Sequence, residues 1–338
     1  MAPRNKTFFV ERSGYSLRIA RIAYGPEGGV IEAVGESDVK TAEEAKSFVL
    51  DFAKEKPGNL VRAYCAVYPP GRILRNFDFK DGPKNIDLPE MLQQVSEKFD
   101  IDRSAYHLAI LNADNGSAFE AGKLQKNFFV CGAPYKELQE AQDFLVKSGI
   151  YPLRLEIGSI GTIGLLLNQL QLADATNPVL FLEMEGEGTH FLVVSRRRIE
   201  MARMLPLGLD SVVAGVRTEL GLKDEAAARR IFYSDSFDFR EMGPRLVEAL
   251  AKELQAMVGF YELQTGQSIT QMFCGLLPGK LDWLNDTLAQ TLGIRRLELD
   301  LLLLLKASNL LLQEAELPLS PQQRGGLFGL MFNREVEV

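Results

Sequence analysis

Residues 177–222 read NPVLFLEMEGEGTHFLVVSRRRIEMARMLPLGLDSVVAGVRTELGL, and this stretch decides the fold. Two apolar runs, at 179–182 and 189–195, flank a turn of glycines and glutamates, which is the pattern of a β-hairpin. A third apolar run at 199–205 follows a turn of three arginines, and apolar spacing after Asp210 indicates a helix. The stretch therefore predicts three strands followed by a helix.

The same unit occurs near the start of the chain. Residues 7–22 have the form of strand, short polar turn and strand, and residues 29–34 form a third strand candidate. A helix is predicted over 41–54, because Thr41 and Glu44 have the spacing of a capping box. The repetition, beginning near residues 7 and 179, predicts an internal duplication at the scale of a domain.

The turn of the second hairpin has two interpretations. A strand that ends in Glu183, followed by Gly186, Gly188 and the hydroxyl of Thr189, can converge on a phosphate and hold a metal or a water. Two more glutamates lie in the same turn and would repel a phosphate unless a cation screens them. The simpler alternative is an exposed acidic turn, with His190 facing solvent on the following strand.

The length and composition predict a soluble protein of two domains. The chain has 338 residues, of which 46% are hydrophobic and 25% charged, values that suit two globular domains of about 150 residues each. We predict domain I at 1–175, with an inserted subdomain at about 71–150 where the pattern of elements changes. Domain II is predicted at 178–315, followed by a C-terminal tail at 316–338 with one candidate short segment at 325–332.

Charge and hydropathy exclude several classes of function. A net charge of −7 argues against a nucleic-acid-binding protein. No secretory signal pattern begins the sequence. The most apolar stretch, 297–312, is interrupted by charged and polar residues and is too short to span a membrane. We therefore expect a cytoplasmic protein without direct membrane insertion, in which residues 299–313 form a final buried helix.

The cysteines and histidines do not predict a metal site. Cys65, Cys131 and Cys274 are far apart and lie in apolar contexts, so they are expected to be reduced core residues. Neither His107 nor His190 has the spacing of a zinc ligand. The sequence therefore predicts no zinc and no other metal site.

In the order of its elements the chain resembles the PilM family, the actin-like proteins of type IV pilus assembly. It resembles more distantly the cytoplasmic part of GspL of type II secretion. The likeness is carried by the run PLGLDSVVAGVRTELGL with Glu225 and Ala226 after it, and by four further segments: residues 195–205, 254–263, the turn from Gly275 to Leu281, and 144–157. It implies an α/β, actin-like (ASKHA) fold of two related domains with mixed sheets, plus a small inserted α+β subdomain.

The resemblance also identifies the positions at which members of this fold bind ATP. A hairpin from each domain grips phosphate, and a glycine turn holds adenosine. Here Glu11-Arg12-Ser13 and Glu183-Met184-Glu185 replace the usual Asp-Ile-Gly, and the glycine run becomes Gly275-Leu276-Leu277-Pro278-Gly279. Because all three motifs have diverged, the candidate site is a vestigial or weak ATP site: Glu11, Ser13, Gly14, Ser16, Arg18, Glu183, Gly186, Gly188, Thr189, Gly275 and Gly279.

Two functions follow from the resemblance. The first is a non-catalytic cytoplasmic scaffold of a pilus or secretion platform at the inner membrane, with no catalytic residues and no bound cofactor. It would bind the cytoplasmic tail of a PilN-like protein, and self-association is left open. The alternative is a protein that binds or hydrolyses ATP with magnesium through divergent motifs.

The inserted subdomain offers a place for such a tail. A groove is expected where the insert meets domain I, and seams of this kind commonly hold peptides. A predicted strand at 72–79 would present an edge to which an extended tail could add. Arg72 and Arg75 would then face acidic residues of the tail, or would simply be the solvated ends of a buried strand.

Overall fold

A computed structural model describes residues 5–14, 16–56, 58–78, 87–114, 116–120, 127–234, 236–313 and 324–332. The chain divides into two compact units. Unit 1 comprises Met1–Leu172 and Asp300–Val338, and unit 2 comprises Ala173–Leu299. The chain therefore returns to unit 1 at Asp300, so the predicted end of domain II at residue 315 is wrong.

Unit 1 contains two sheets and the helices that cover them. Its elements are β1 (Asn5–Ser13), β2 (Ser16–Gly25), β3 (Gly28–Asp38), α1 (Ala42–Ala53), β4 (Val61–Val67), β5 (Ile73–Asp78), α2 (Leu88–Phe99), β6 (Tyr106–Asn112), β7 (Asn127–Pro134), α3 (Tyr135–Lys147), β8 (Ile150–Ile157) and α4 (Gly158–Leu172).

Unit 2 follows without interruption, and the chain then re-enters unit 1. The elements of unit 2 are β9 (Val179–Met184), β10 (Thr189–Val194), β11 (Ile199–Leu205), α5 (Leu209–Glu219), α6 (Glu225–Phe232), α7 (Gly243–Leu246), α8 (Glu248–Thr265), β12 (Gln271–Gly275), α9 (Asp282–Leu292) and β13 (Arg295–Arg296). The returning segment forms α10 (Leu301–Ala307), β14 (Leu310–Leu312) and α11 (Gly325–Phe332).

The two main sheets have the same topology. The strand order is β14-β3-β2-β1-β4-β8 in unit 1 and β11-β10-β9-β12-β13 in unit 2. In each, three strands form an antiparallel meander, and the first of them pairs in parallel with a strand that follows a helix. Apart from the added β14, the sheets correspond strand for strand, which confirms the predicted duplication.

The central strands of unit 2 are buried on both faces. Every residue of β9 and β10 is buried, as expected for continuous apolar runs in the middle of a covered sheet.

In unit 1, helix α1 begins at the predicted capping box, where the Thr41 hydroxyl accepts the Glu44 amide proton at 3.2 Å. No helix within the described part of the chain is long and apolar enough to cross a membrane.

The insert forms its own small layer within unit 1. Its sheet has the order β5-β7-β6 and is entirely antiparallel. Helix α2, capped by the Asp87 carboxylate, packs on it through an apolar cluster: Phe77, Met91, Val95, Ile110, Phe128 and Val130. Helix α3 then leads back to β8, the outer strand of the main sheet.

The C-terminal segment differs from the prediction. The single helix predicted over 299–313 ends at Ala307, because Asn309 adopts a left-handed backbone with φ of 53°. The Asn309 carbonyl accepts the Gly29 amide proton at 3.1 Å, and this aligns β14 with β3. Part of the predicted tail, 316–323 and 333–338, lies outside the described residues, and residues 325–332 form the buried helix α11.

Candidate functional site

Three charged residues, in the order acidic, basic and acidic, lie side by side across β1, β2 and β3. Glu11 on β1 lies opposite Arg18 on β2, and Arg18 lies opposite Glu36 on β3. The turn between β1 and β2 contains Gly14, whose φ of 57° favours glycine. The hairpin thus places alternating charges across three neighbouring strands.

Both carboxylate oxygens of Glu11 have donors. Oε1 accepts the Tyr68 hydroxyl at 2.7 Å and the backbone N–H of Gly326 at 3.2 Å. Oε2 accepts Arg18 Nη1 at 3.3 Å. Glu11 is completely buried, and burial raises its pKa despite the charge of Arg18 and these hydrogen bonds.

Arg18 links this carboxylate to a second one. Its Nε donates to Glu36 Oε1 at 2.8 Å, and the same oxygen accepts the Ser16 hydroxyl at 2.9 Å. Glu36 Oε2 accepts Arg324 Nη2 at 2.8 Å. Partial burial alone would raise the pKa of Glu36, but the Arg324 hydrogen bond and the charge of Arg18 outweigh it and hold the pKa at about 2.

Helix α11 approaches the hairpin so closely that only glycine fits. A Cβ on Gly326 would lie 2.4 Å from the Tyr68 hydroxyl and 2.6 Å from Glu11 Oε1. A Cβ on Gly329 would lie 2.2 Å from the backbone of Gly161 in α4. Every residue of α11 is buried, so this helix is an integral part of unit 1.

The second hairpin is closed by the start of α5. The amides of Leu209 and Asp210 donate to the carbonyls of Glu185 and Gly186 at 2.7 and 2.8 Å. These amides are the first of the helix, which have no acceptor inside it. The turn for which phosphate binding was one of two interpretations therefore presents carbonyl oxygens to a helix N-terminus.

Thr189 and the glycines of this turn are also committed to internal contacts. The Thr189 hydroxyl is buried and donates to the Leu207 carbonyl at 2.7 Å. A Cβ on Gly188 would lie 2.2 Å from Met204 Cε, and one on Gly186 would lie 3.0 Å from Asp210 Oδ2. These internal contacts require small residues at both positions.

Glu183 and His190 are buried, in contrast to the exposed alternative. Glu183 is fully buried and His190 is 1% exposed. They lie opposite each other on β9 and β10, and Gly275 at the end of β12 is the parallel partner of Glu183. The predicted solvent-facing His190 is wrong because the sheet is covered on both faces, and of the turn only Glu187 is exposed.

The turn after β12 contains one backbone conformation that favours glycine, but a leucine adopts it. Leu276 takes the left-handed conformation, with φ of 65°, and Leu277 is buried in the core of unit 2. Gly279 opens a short 3-10 helix, Gly279–Leu281. Leu276 and Leu277 therefore give this turn side chains, one of them buried, that a run of glycines would lack.

Within each unit, these residues do not fit magnesium and ATP. Magnesium requires oxygen ligands in near-octahedral geometry and keeps several waters, whereas Glu11 is buried with both oxygens bonded to protein donors. In unit 2 the backbone of the turn accepts hydrogen bonds from α5. Across the described residues, no group of three or more potential ligands could hold a metal ion.

Arg72 is an internal residue rather than a surface contact. It is 4% exposed, and its Nε donates to Ser159 Oγ at 2.9 Å. Its guanidinium lies 5.5 Å from the centre of the Tyr68 ring. Arg72 therefore joins the start of the insert to α4, and the prediction that it meets a partner's acidic residue is wrong. Arg75 is half-buried on β5, with Nη1 donating to the Leu74 carbonyl at 3.0 Å.

A groove, here called the seam groove, lies where the insert meets the main sheet of unit 1. It encloses about 530 Å³. One wall comes from β6, β7 and α3, and the other from the end of β8 and the start of α4. It is lined by His107, Ala109, Cys131, Gly132, Ala133, Tyr135, Leu138, Gln139, Gln142, Arg154, Leu155, Glu156, Ile157 and Ile160.

The seam groove combines an apolar surface with a strand edge to which no other described strand pairs. β8 is the outer strand of its sheet, with Tyr151 and Leu153 exposed to 51% and 40%. An ion pair joins Arg154 Nε to Glu156 Oε1 at 2.6 Å, and burial raises the pKa of Glu156. An outer strand with unpaired backbone groups is where an extended peptide adds to a sheet.

Comparison with known proteins shows the fold. No family model and no curated protein matches the sequence. The structure is similar to a chain of the PilM-PilN type IV pilus biogenesis complex, with a TM-score of 0.68 and 17% identity over 97% of this chain and 98% of that one. The chain has the actin-like fold of PilM.

More distant similarities to two other proteins of known structure extend over most of the chain. The ethanolamine utilization protein EutJ from Carboxydothermus hydrogenoformans has a TM-score of 0.48 and 12% identity, covering 98% of this chain and 90% of its own. The cytoplasmic domain of EpsL, an inner-membrane component of the type II secretion system of Vibrio cholerae, has a TM-score of 0.40 and 12% identity, covering 85% and 95%.

Sequence reasoning missed three residues that close the first hairpin: Tyr68, Glu36 and Arg324. The alternation of residues along β3 could have placed Glu36 on the same face of the sheet as Arg18. That prediction requires the bulge in the pairing of β2 with β3, where the register shifts between Arg21 and Ile22. Nothing local in the sequence brings Arg324 to Glu36, because that contact depends on the return of the chain to unit 1.

Proposed function

We propose that this protein is a non-catalytic cytoplasmic scaffold of a type IV pilus or type II secretion platform at the inner membrane. It binds the cytoplasmic tail of a PilN-like membrane protein and lies at the membrane through that partner. The observation that carries the proposal is the similarity to a chain of the PilM-PilN complex over 97% of the sequence. At that coverage the inserted subdomain, which forms one wall of the seam groove, is part of the match.

The seam groove is the proposed binding site for the tail. Its small and apolar residues, such as Ala109, Ala133 and Leu155, can accept apolar side chains of an extended segment. The outer edge of β8 offers backbone hydrogen bonds, which give affinity in this mode of recognition. Arg154, whose side chain is 66% exposed, is placed to contact an acidic group of the tail.

The proposed scaffold function is consistent with the two hairpins. Glu11 and Thr189 are the side chains that would engage phosphate or its metal, and both bond to groups of the protein itself. Such hairpins can stabilise the fold without a nucleotide.

The experiment is titration of a fluorescent peptide that copies the tail of the PilN-like protein from the same genome. Gln142→Trp should fill the groove and Arg154→Glu should reverse its exposed charge, each weakening binding by about tenfold, equal to about 1.4 kcal/mol. Arg75→Glu, on β5 at the edge of the insert sheet and outside the groove lining, is the matched control and should bind like wild type. Equal affinity in all four proteins, or a loss only in Arg75→Glu, would reject the seam groove.

A further inference from the structure

The C-terminal helix completes the first hairpin from within the chain. Two groups at the start of α11 reach it: the side chain of Arg324 bonds to Glu36, and the backbone N–H of Gly326 bonds to Glu11. Arg18 bonds to both carboxylates and connects the two contacts. The result is a continuous chain of bonds from β1 to α11, here called the hairpin latch: Glu11, Arg18, Glu36, Arg324 and Gly326.

The charges of the latch are balanced. It contains two carboxylates and two guanidinium groups, and Arg18 and Arg324 are 6% and 7% exposed. A guanidinium remains charged at any pH at which the protein is folded, and its planar fork can serve two acceptors at once. Arg18 therefore supplies, next to Glu11, the positive charge that a magnesium ion supplies in a nucleotide site.

We infer that Arg18 and the start of α11 replace magnesium and nucleotide phosphate as the permanent internal ligands of the first hairpin. The C-terminal segment then stabilises the first hairpin, and the stability of unit 1 depends on residues 324–332 rather than on ATP. This inference goes beyond the scaffold proposal and does not depend on tail binding. It uses none of the variants that test the seam groove, so each proposal can fail without the other.

Thermal unfolding of the full chain tests the first half of the inference. Wild type is measured alone, with MgCl2, and with MgCl2 and ATP at a large excess over protein. We expect the same melting temperature in all three conditions. An increase with magnesium and ATP that disappears in Glu11→Gln would overturn the inference.

Two matched arginine variants test the second half. Arg324→Gln breaks the bond to Glu36, while Arg245→Gln breaks an exposed pair of the same type, at 3.0 Å to Glu219 in unit 2. Arg324→Gln should lower the melting temperature by several degrees and increase amide hydrogen exchange in β2, β3 and α11, whereas Arg245→Gln should change neither. Equal behaviour of the two variants would overturn the inference.

Arg18→Lys provides a further test if Arg324→Gln does not fold. Lysine keeps the charge but lacks the fork that bonds to two carboxylates. It should increase exchange at the start of α11, to which Arg18 is connected through Glu11 and Glu36. Exchange at wild-type rates in α11 would show that the contacts act separately and would reject the latch.

Discussion

Glu36 Oε2 accepts a hydrogen bond from Arg324 Nη2 at 2.8 Å, although 288 residues separate them in the sequence. The bond joins the third strand of the chain to the start of its last described helix. It exists because the chain leaves unit 1, forms all of unit 2, and returns at Asp300. The C-terminal segment is thereby tied to the hairpin that resembles a phosphate-binding motif.

Acid should weaken the hydrogen bond between Glu36 and Arg324. The pKa of Glu36 is lowered from 4.5 to about 2 in the folded protein, by the hydrogen bond from Arg324, the charge of Arg18 and the Ser16 hydroxyl. A carboxyl group with a lowered pKa contributes stability above its unfolded pKa, and that contribution disappears as pH falls through the folded pKa. Between pH 4.5 and about 2, the free-energy difference between wild type and Glu36→Gln should therefore shrink.

Urea unfolding at a series of pH values measures this difference. Glu11 contributes with the opposite sign, since burial raises its pKa. Comparing wild type with Glu36→Gln at each pH, rather than following wild type alone, largely separates the two effects. A difference that stays constant from pH 6 down to the acid limit of folding would contradict the assignment.

Adding one methyl group where α11 meets α4 should be costly. The Cβ of Gly329→Ala would lie 2.2 Å from the backbone of Gly161, and overpacking of this kind costs about 1–3 kcal/mol. Gly259→Ala is the same substitution inside α8, where nothing lies within 4 Å of the added Cβ. Because alanine favours helix over glycine by about 1 kcal/mol, this control should be neutral or stabilising. Urea midpoints that shift equally in both variants would show that α11 does not pack as described.

Arg72 and Arg75 should respond differently to the same charge reversal. Arg72→Glu places a carboxylate at a site that is 4% exposed and faces the Pro69 carbonyl, so it should lower the melting temperature strongly. Arg75→Glu changes a half-buried residue on an outer strand and should cost far less. An Arg72→Glu variant with the melting temperature of wild type would show that Arg72 does not stabilise the interior of unit 1.

The three thiols should be unreactive in the folded protein. Burial raises the pKa of Cys65 and of Cys131 to about 12, and that of Cys274 further. A thiol reagent at neutral pH reacts with the thiolate. We therefore expect almost no labelling of the native protein and labelling of all three cysteines in urea. Rapid labelling of any one of them before unfolding would contradict this.

The sequence was sufficient to predict the duplicated sheets. Alternating and continuous apolar runs mark β1 to β3 and β9 to β11, and such periodicity is a local property of the chain. The seam between the insert and the main sheet was also predictable, because the pattern of elements changes near residue 71 and returns near residue 150. The groove at that seam was expected, but the outer strand that borders it is β8 rather than β5.

The errors concern contacts that depend on tertiary structure. The last predicted helix ends before Asn309, although the apolar composition of the segment favours its continuation. The backbone carbonyl of Asn309 instead accepts the amide proton of Gly29 across the sheet. His190 is buried because the sheet is covered on both faces, and no pattern within β10 distinguishes that from a single covered face. Arg72 carries a charge, which favours a surface position, yet Ser159 and Tyr68 hold it inside.

Amide hydrogen exchange with the partner tail tests the central claim most directly. The full chain is compared with and without a saturating peptide that copies the cytoplasmic tail of the PilN-like protein. If the tail lies in the seam groove and adds to β8, exchange should slow in Ile150–Ile157 and in α3, and it should be unchanged in Ile73–Asp78 and throughout unit 2. Slower exchange confined to Ile73–Asp78, or no change anywhere at saturation, would contradict the claim.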